Sequence, residues 1–277
     1  KIKATKGLKV GGIIGACQVE VRGSLEAGSI AGKDLGQVTC HGELKANYLN
    51  QAKVLCHGNV LVSNEIRNSQ VKSTGRVVVE RGAICGGKTV ALEGIEAKTL
   101  GATSCVRTHL VAGVYFPDAD RFDYLRQRLG EINTQIKMIH DALGPLERLK
   151  EQDRQLANAS ELRLSILNET WEGLEREKTQ VRSEVEASTP QLFSSCNPKI
   201  NALTIIHEGV LACLGEASAT FKADLSGPIT LIENTREGGL RYLSLSPLMT
   251  LAKEIEEELL QDEVSPDDIE SKGLEQH

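Results

Sequence analysis

At 277 residues the chain has room for one large domain or two modest ones. Its 40% hydrophobic content can fill a core, although aromatics make up only 3%. The net charge of −6 argues against a nucleic-acid or anionic-membrane partner, and no apolar run approaches the length of a membrane span. Seven cysteines, an odd number, fit a reducing, cytoplasmic compartment better than a disulfide framework. The chain opens on Lys1 without a signal peptide, and the missing initiator methionine reads as a fragment or a processed chain.

From Gly7 to Gly101 one short pattern recurs: an apolar residue, three residues, then glycine. It ends at Gly23 (VEVRG), Gly42 (VTCHG), Gly58 (VLCHG), Gly75 (VKSTG) and Gly94 (VALEG). A second ladder keeps step with it through Ile14, Ile30, Leu49, Ile66 and Ile84. A period of 16 to 19 residues between these glycines is the mark of a stacked solenoid. In a strand, alternate side chains share a face. Four and two residues before each glycine the interior set reads Val19 and Val21, Val38 and Cys40, Val54 and Cys56, Val71 and Ser73, Val90 and Leu92. The residues between them, such as Glu20, His41, His57 and Lys72, belong outside. After the glycine the interior resumes with Leu25 and Ala27, Leu44 and Ala46, Val60 and Val62, Val77 and Val79. Glycine suits a tight corner where φ is positive. Each repeat is one coil of a parallel β-helix, and the variable corners point to the right-handed kind.

Residues 102–117 form a last extended segment closed by Gly113 and Pro117, after which Asp118 caps a helix. Phe122, Leu125, Leu129, Ile132, Ile136, Ile139, Leu143 and Leu146 are spaced alternately three and four apart, an unbroken heptad seam. Gly144-Pro145 inside it is expected to kink the helix or thin its last turns. After a polar gap near Gln152–Ala159, Asn158 and Glu161 resemble a capping box. A second seam then follows at Leu164, Leu167, Trp171, Leu174, Lys178, Val181 and Val185. Two such helices joined by a short loop predict an antiparallel coiled-coil hairpin.

Residues 197–245 return to apolar–polar alternation with turn signals at Gly209, Gly215 and Gly227-Pro228, and are expected to add strands beside the last coil. Beyond Pro247 the chain is acidic, predicting a short helix over 249–260 and a disordered tail.

Gly82-Ala-Ile-Cys-Gly-Gly87-Lys88-Thr89 satisfies the phosphate-cradling P-loop pattern, whose chemistry needs a strand before it and a helix opening at Lys88. VALEG follows in strand register instead, so the match is expected to be structural. Cys40, Cys56, His41 and His57 have the composition of a zinc quartet. Adjacent strand residues face opposite sides, however, so sulfurs point inward and imidazoles outward. His41, His57 or His109 could be nominated as the histidine of a solenoid acyltransferase, but nothing singles one out. Glu254–Glu258 and Asp267–Asp268 lack EF-hand spacing. No catalytic, cofactor-binding or metal site is expected.

Three stretches carry a resemblance: GAICGGKTVALEGIEAKTLGA at 82–102, LVAGVYFPD at 110–118 and NPKINALTIIHEGVLACLG at 197–215. Together with the order solenoid, helical pair, β return over residues 1–245, they resemble the flagellar assembly protein A family of bacteria. The resemblance implies a mainly β protein with an α-hairpin: a right-handed, single-stranded parallel β-helix with an inserted antiparallel coiled coil. It implies no catalytic residues. The domain that usually precedes the family's solenoid is absent from this sequence, and Gly144-Pro145 departs from its regular helix. The expected layout is β-helix over 1–117, coiled-coil hairpin over 118–190, returning β segment over 191–247 and acidic tail over 248–277. The expected function is a non-enzymatic, cytoplasmic scaffold or adaptor in bacterial flagellar assembly or placement, with protein partners, self-association as a homodimer or higher homo-oligomer, and no nucleic acid or membrane insertion. The alternatives are a polymer-forming cytoskeletal β-helix and, through Gly82–Thr89, a nucleotide-binding protein.

Overall fold

A computed structural model describes residues 1–104, 106–151, 158–188, 198–215, 217–234, 238–250, 252, 254 and 255. Two compact units emerge, one from Lys1–Phe116 with Phe193–His277 and the other from Pro117–Leu192.

The first unit begins with paired strands, one pair per coil: β1 (Ile2–Ala4) and β2 (Leu8–Ile14), β3 (Gln18–Val21) and β4 (Leu25–Ala31), β5 (Gln37–Cys40) and β6 (Leu44–Asn50). Then come β7 (Lys53–Cys56), the long bent strands β8 (Val60–Ser73) and β9 (Arg76–Ala91), β10 (Gly94–Leu100) and β11 (Thr108–Ala112). Every pairing among them is parallel. One ladder stacks Leu8, Leu25, Leu44, Val60, Val77 and Ile95 in register. In the same ladder Ile14, Ile30, Leu49, Ile66, Ile84 and Leu100 form the column that the sequence spacing anticipates. The other ladder stacks Val19, Val38, Val54, Val71, Thr89 and Leu110. Apart from Thr89, these columns are aliphatic and belong to one continuous apolar core. The result is a β-solenoid of about six turns, each strand contributing alternate side chains to a narrow bore.

The expected frame slips by one residue in the fifth repeat. Thr89 and Ala91, not Val90 and Leu92, occupy the bore columns, as their pairing with Val71 and Ser73 shows. Val90 is nonetheless buried, on the outward side of the strand, while Leu92 is half-buried. The cause is the corner. Three residues separate the two ladders at each of these bends, with glycine in the middle at Gly23, Gly42, Gly58 and Gly75. In the fifth bend Glu93 takes the middle and Gly94 moves to the third place, with φ +132°. Glycine marks the corner but not its frame.

After β11 the chain makes helix α1 (Phe116–Glu151) and helix α2 (Asn158–Ser188), then returns as β12 (Lys199–Ile206), β13 (Val210–Leu214), β14 (Ala217–Thr220), β15 (Leu225–Ser226), β16 (Ile229–Glu233) and β17 (Leu240–Ser244). β12 and β13 complete one more coil, pairing parallel with β10 and β11. From there the direction reverses: β14 pairs antiparallel with β13, β15 and β16 with β12, and β17 with β16. The antiparallel strands thereby occupy the hydrogen-bonding edge that a last parallel coil would leave open. Gly209 and Gly215 turn at φ +85° and +58°, where the sequence signals place turns.

Helix α1, whose residues from Pro117 onward belong to the second unit, starts at Phe116 rather than after a cap at Asp118. Pro117 lacks the N–H that a first-turn residue cannot use anyway, so it fits inside the helix and leaves Asp118 in the first turn. The helix continues past Pro145 to Glu151. Leu125, Ile132 and Val181 are buried together, with Leu129, Ile136, Leu174 and Val185 packed on them, so both seams contribute to one apolar cluster. Trp171 of the second seam is exposed. Arg121 pairs with Glu184 at 3.2 Å and Arg128 with Glu177 at 2.8 Å. The polar gap at 152–157 and most of the expected acidic tail lie outside the described residues; Ala252, Glu254 and Ile255 are helical.

Candidate interaction surface

The P-loop lookalike lies within β9, so no helix opens at Lys88. Thr89 faces the bore and is buried, while Lys88 pairs with Gln70 and His109 on the neighbouring coils. Gly86 and Gly87 bend the strand at φ +73° and +81°. A Cβ on Gly82 would stand 1.8 Å from the Asn64 carbonyl oxygen. These glycines allow close backbone approach between coils, which accounts for the motif without a phosphate.

The cysteine and histidine pairs separate to opposite faces, as strand alternation requires. The His41 and His57 rings stack outside, with centroids 4.9 Å apart and planes within 3°, and Phe116 tilts onto His57 at 5.5 Å. Cys40 and Cys56 are buried in the bore. Their thiols have a structural task. Cys40 Sγ donates to the Gly23 carbonyl at 3.2 Å, Cys56 Sγ to Gly42 at 3.1 Å, and Ser73 Oγ to Gly58 at 2.7 Å. Each donor reaches the corner carbonyl of the preceding coil, sharing the one at Gly23 with the Gly42 N–H at 3.1 Å. Hydrogen bonding to Cys40, followed by burial, pushes the Cys56 thiol well up from its usual range. Ser73→Ala is expected to cost about 1–3 kcal/mol in urea denaturation, and Ser73→Cys appreciably less, because it keeps a donor.

Partial desolvation of a ring that is otherwise exposed, with the neighbouring His41 as a smaller cause, holds the His57 imidazole below the usual histidine range. As pH falls the unfolded chain therefore binds its proton first, near pH 6.5, and folded stability decreases. His57→Asn is expected to flatten the fall in Tm between pH 7 and pH 5.

His109 meets a residue that sequence reasoning overlooked: its Nε2 lies 3.4 Å from Cys213 Sγ. The contact joins β11 to β13 across 104 residues, so local pattern could not signal it. Burial pushes the thiol up and the imidazole down, and Lys88 adds to the latter. Both partners are held neutral, the opposite of what an activated thiolate nucleophile requires.

The outward column of the first ladder changes character along its length. Lys9, Glu26 and Lys45 are followed by Leu61 and Val78, then Glu96 and Asn201. Where the charges stop, a groove of about 450 Å³ opens, lined by Arg76, Val78, Glu96, Leu203, Leu245 and Met249 among others. Its far wall, residues 245–249, is held by a buried polar network. Asn201 Nδ2 donates to Glu96 Oε2 and to the Ser246 carbonyl, both at 2.8 Å. Thr230 Oγ1 donates to Asn201 Oδ1 at 2.9 Å and accepts from the Ser246 N–H at 2.8 Å. The buried Lys199 ammonium donates to Ser246 Oγ at 3.0 Å and to the Pro247 carbonyl, and burial pushes its pKa down. Among the described residues no group of three or more His, Cys, Asp or Glu is placed to hold a metal, and no helix is long and apolar enough to cross a membrane.

A β-solenoid interrupted after its sixth parallel coil by a helical pair, then resumed and closed by antiparallel strands, defines the class of protein. The β-solenoid domain of Flagellar Assembly Protein A (FapA) matches residues 1–239, and the chain belongs to that family, which is not known for catalysis. No curated protein and no solved structure matches the chain.

Proposed function

We propose that the chain is a non-enzymatic scaffold or adaptor in the assembly or placement of bacterial flagella, acting in the cytoplasm through protein–protein contacts. The observation that carries this reading is the family match over residues 1–239, which takes in the solenoid, both helices and the returning strands as far as β16. The proposed layout is a right-handed parallel β-helix over 1–117, an antiparallel coiled-coil hairpin over 118–190, a returning β segment over 191–247 and an acidic tail over 248–277. Between the two interhelical ion pairs α1 advances seven residues, Arg121 to Arg128, while α2 retreats seven, Glu184 to Glu177, which supports the antiparallel heptad arrangement. The hairpin offers helical faces for a partner or for a second copy, and the solenoid offers flat sheet faces.

The test replaces the resident gene of a flagellated bacterium with this sequence, intact or lacking 118–190, and counts flagella and their positions by electron microscopy. Restoration by the intact chain and loss or misplacement with the shortened one is expected. Normal flagella in the complete absence of the gene would overturn the reading. Filaments formed by the purified chain would favour the polymer-forming alternative, and Lys88-dependent ATP or GTP binding would favour the nucleotide-binding one.

A further inference from the structure

We propose that the groove beside β9 and β12 is a docking site for a short segment of a partner protein in which a carboxylate stands next to an aliphatic side chain. The proposal rests on the scaffold reading and names the chemistry that one of its surfaces would recognise.

Three observations converge on that occupant. The first is the wall. Val78, Leu203, Leu245, Pro247, Leu248 and Met249 make it mostly apolar, and Leu245 and Met249 remain 41% and 71% exposed at its rim. An apolar surface with a few polar groups placed in it is the usual composition of a binding site. The rim is open to solvent, which suits a chain passing through better than a small ligand that must be largely enclosed.

The second is the break in the outward column. Upstream, lysine and glutamate alternate and each finds an ion pair, Lys9 with Glu26 at 2.7 Å and Lys45 with Glu43 at 2.8 Å. Leu61 and Val78 continue the same column with aliphatic side chains on the outer side of the sheet, where a solvated face calls for polar ones.

The third is the state of Arg76. Its Nη1 is directed at the Met249 thioether, a weak acceptor. Its buried Nε forms an ion pair with Glu93 Oε2 at 3.2 Å but, among the described residues, no hydrogen bond in good geometry. A guanidinium matches a carboxylate in two parallel bonds, and those bonds strengthen beside apolar walls. Glu96, an acid of the groove, is already bonded to Asn201, so the site presents a guanidinium whose charge is paired with Glu93 but whose N–H donors are under-used, in an aliphatic setting. A carboxylate entering the groove would displace the thioether from Nη1, while neighbouring Leu or Ile side chains would cover Val78, Leu203 and Leu245.

The experiment titrates the full chain, with its methyl groups isotope-labelled, with the peptide acetyl-Glu-Leu-Ile-Glu-Leu-amide and, separately, its Gln-for-Glu counterpart. Shifts at the Leu203, Leu245 and Met249 methyls are expected with the first peptide, at sub-millimolar Kd. At least tenfold weaker binding is expected for the Gln peptide, and likewise for Arg76→Gln with the Glu peptide. Combining Arg76→Gln with the Gln peptide should add little further loss, because the two changes remove the same contact. Leu245→Ser, a change at an exposed rim position, is expected to weaken both peptides while leaving the Tm near that of the unaltered chain.

Equal affinity of the Glu peptide for the unaltered chain and Arg76→Gln would overturn the proposal, as would no methyl shifts at millimolar peptide. Displacement of the peptide by decanoate at comparable affinity would reassign the groove to small amphiphiles and overturn the partner-protein occupant. Any of these failures leaves the flagellar reading to its own test, the flagellar count in the gene-replacement strain.

Discussion

Gly87→Ala is expected to destabilise the solenoid by about 2–5 kcal/mol, read as a fall in the urea midpoint at unchanged slope. Two costs add. Gly87 sits at φ +81°, a region that costs an L-residue about 1–2 kcal/mol. Its Cβ would also stand 2.1 Å from the Ser69 carbonyl oxygen, a backbone atom of the neighbouring coil that cannot move without shifting the stack. Overpacking of that kind typically adds about 1–3 kcal/mol. Lys88→Ala, one residue on and exposed, should change stability by no more than about 0.5 kcal/mol. The contrast is informative because both residues belong to the P-loop pattern. A phosphate cradle would make Lys88 the sensitive position for function, whereas a coil-to-coil contact makes Gly87 the sensitive one for folding. A Gly87→Ala chain as stable as the original would refute the close approach of β8 and β9 at Ser69.

The second large effect is expected from Asn201→Leu, about 3–5 kcal/mol by the same measurement. The side chain is fully buried and is the junction of Glu96, Thr230 and the Ser246 carbonyl. Leucine is close in size but donates and accepts nothing, so up to three polar groups lose their partner at about 1–3 kcal/mol each, less whatever water recovers. Residues 245–249 are the segment this junction holds. The Ser246 amide, which donates to Thr230, should therefore exchange its hydrogen faster in the variant than amides of the β2–β4 ladder. Uniform acceleration across both regions would mean that the junction supports the whole solenoid rather than its last strands. Peptide binding in the groove should weaken along with it, because Leu245 and Met249 lose their anchorage.

The coils and the helical seams were legible in the sequence because both are local periodicities. A period of two puts Leu25 and Ala27, or Val60 and Val62, on one side of a strand whatever surrounds them, and stacking identical coils repeats that choice. Spacing of three and four likewise puts Leu125, Leu129, Ile132 and Ile136 on one side of a helix. The inward cysteines and outward histidines follow from the same alternation. Only the folded chain decided the rest. The frame of the fifth coil depends on which corner place the glycine takes, and Gly94 takes the third rather than the middle. The donors Cys40, Cys56 and Ser73 reveal their purpose only when the carbonyl of the coil beneath comes within reach. His109 and Cys213 lie 104 residues apart and Arg76 and Met249 lie 173 apart, distances over which a one-dimensional pattern holds no information. Side-chain alternation is enforced by each residue's own backbone, so the chain could announce its bore and its seams. A groove or a polar junction is made by residues that become neighbours only after the last coil has closed on the first strands of the return.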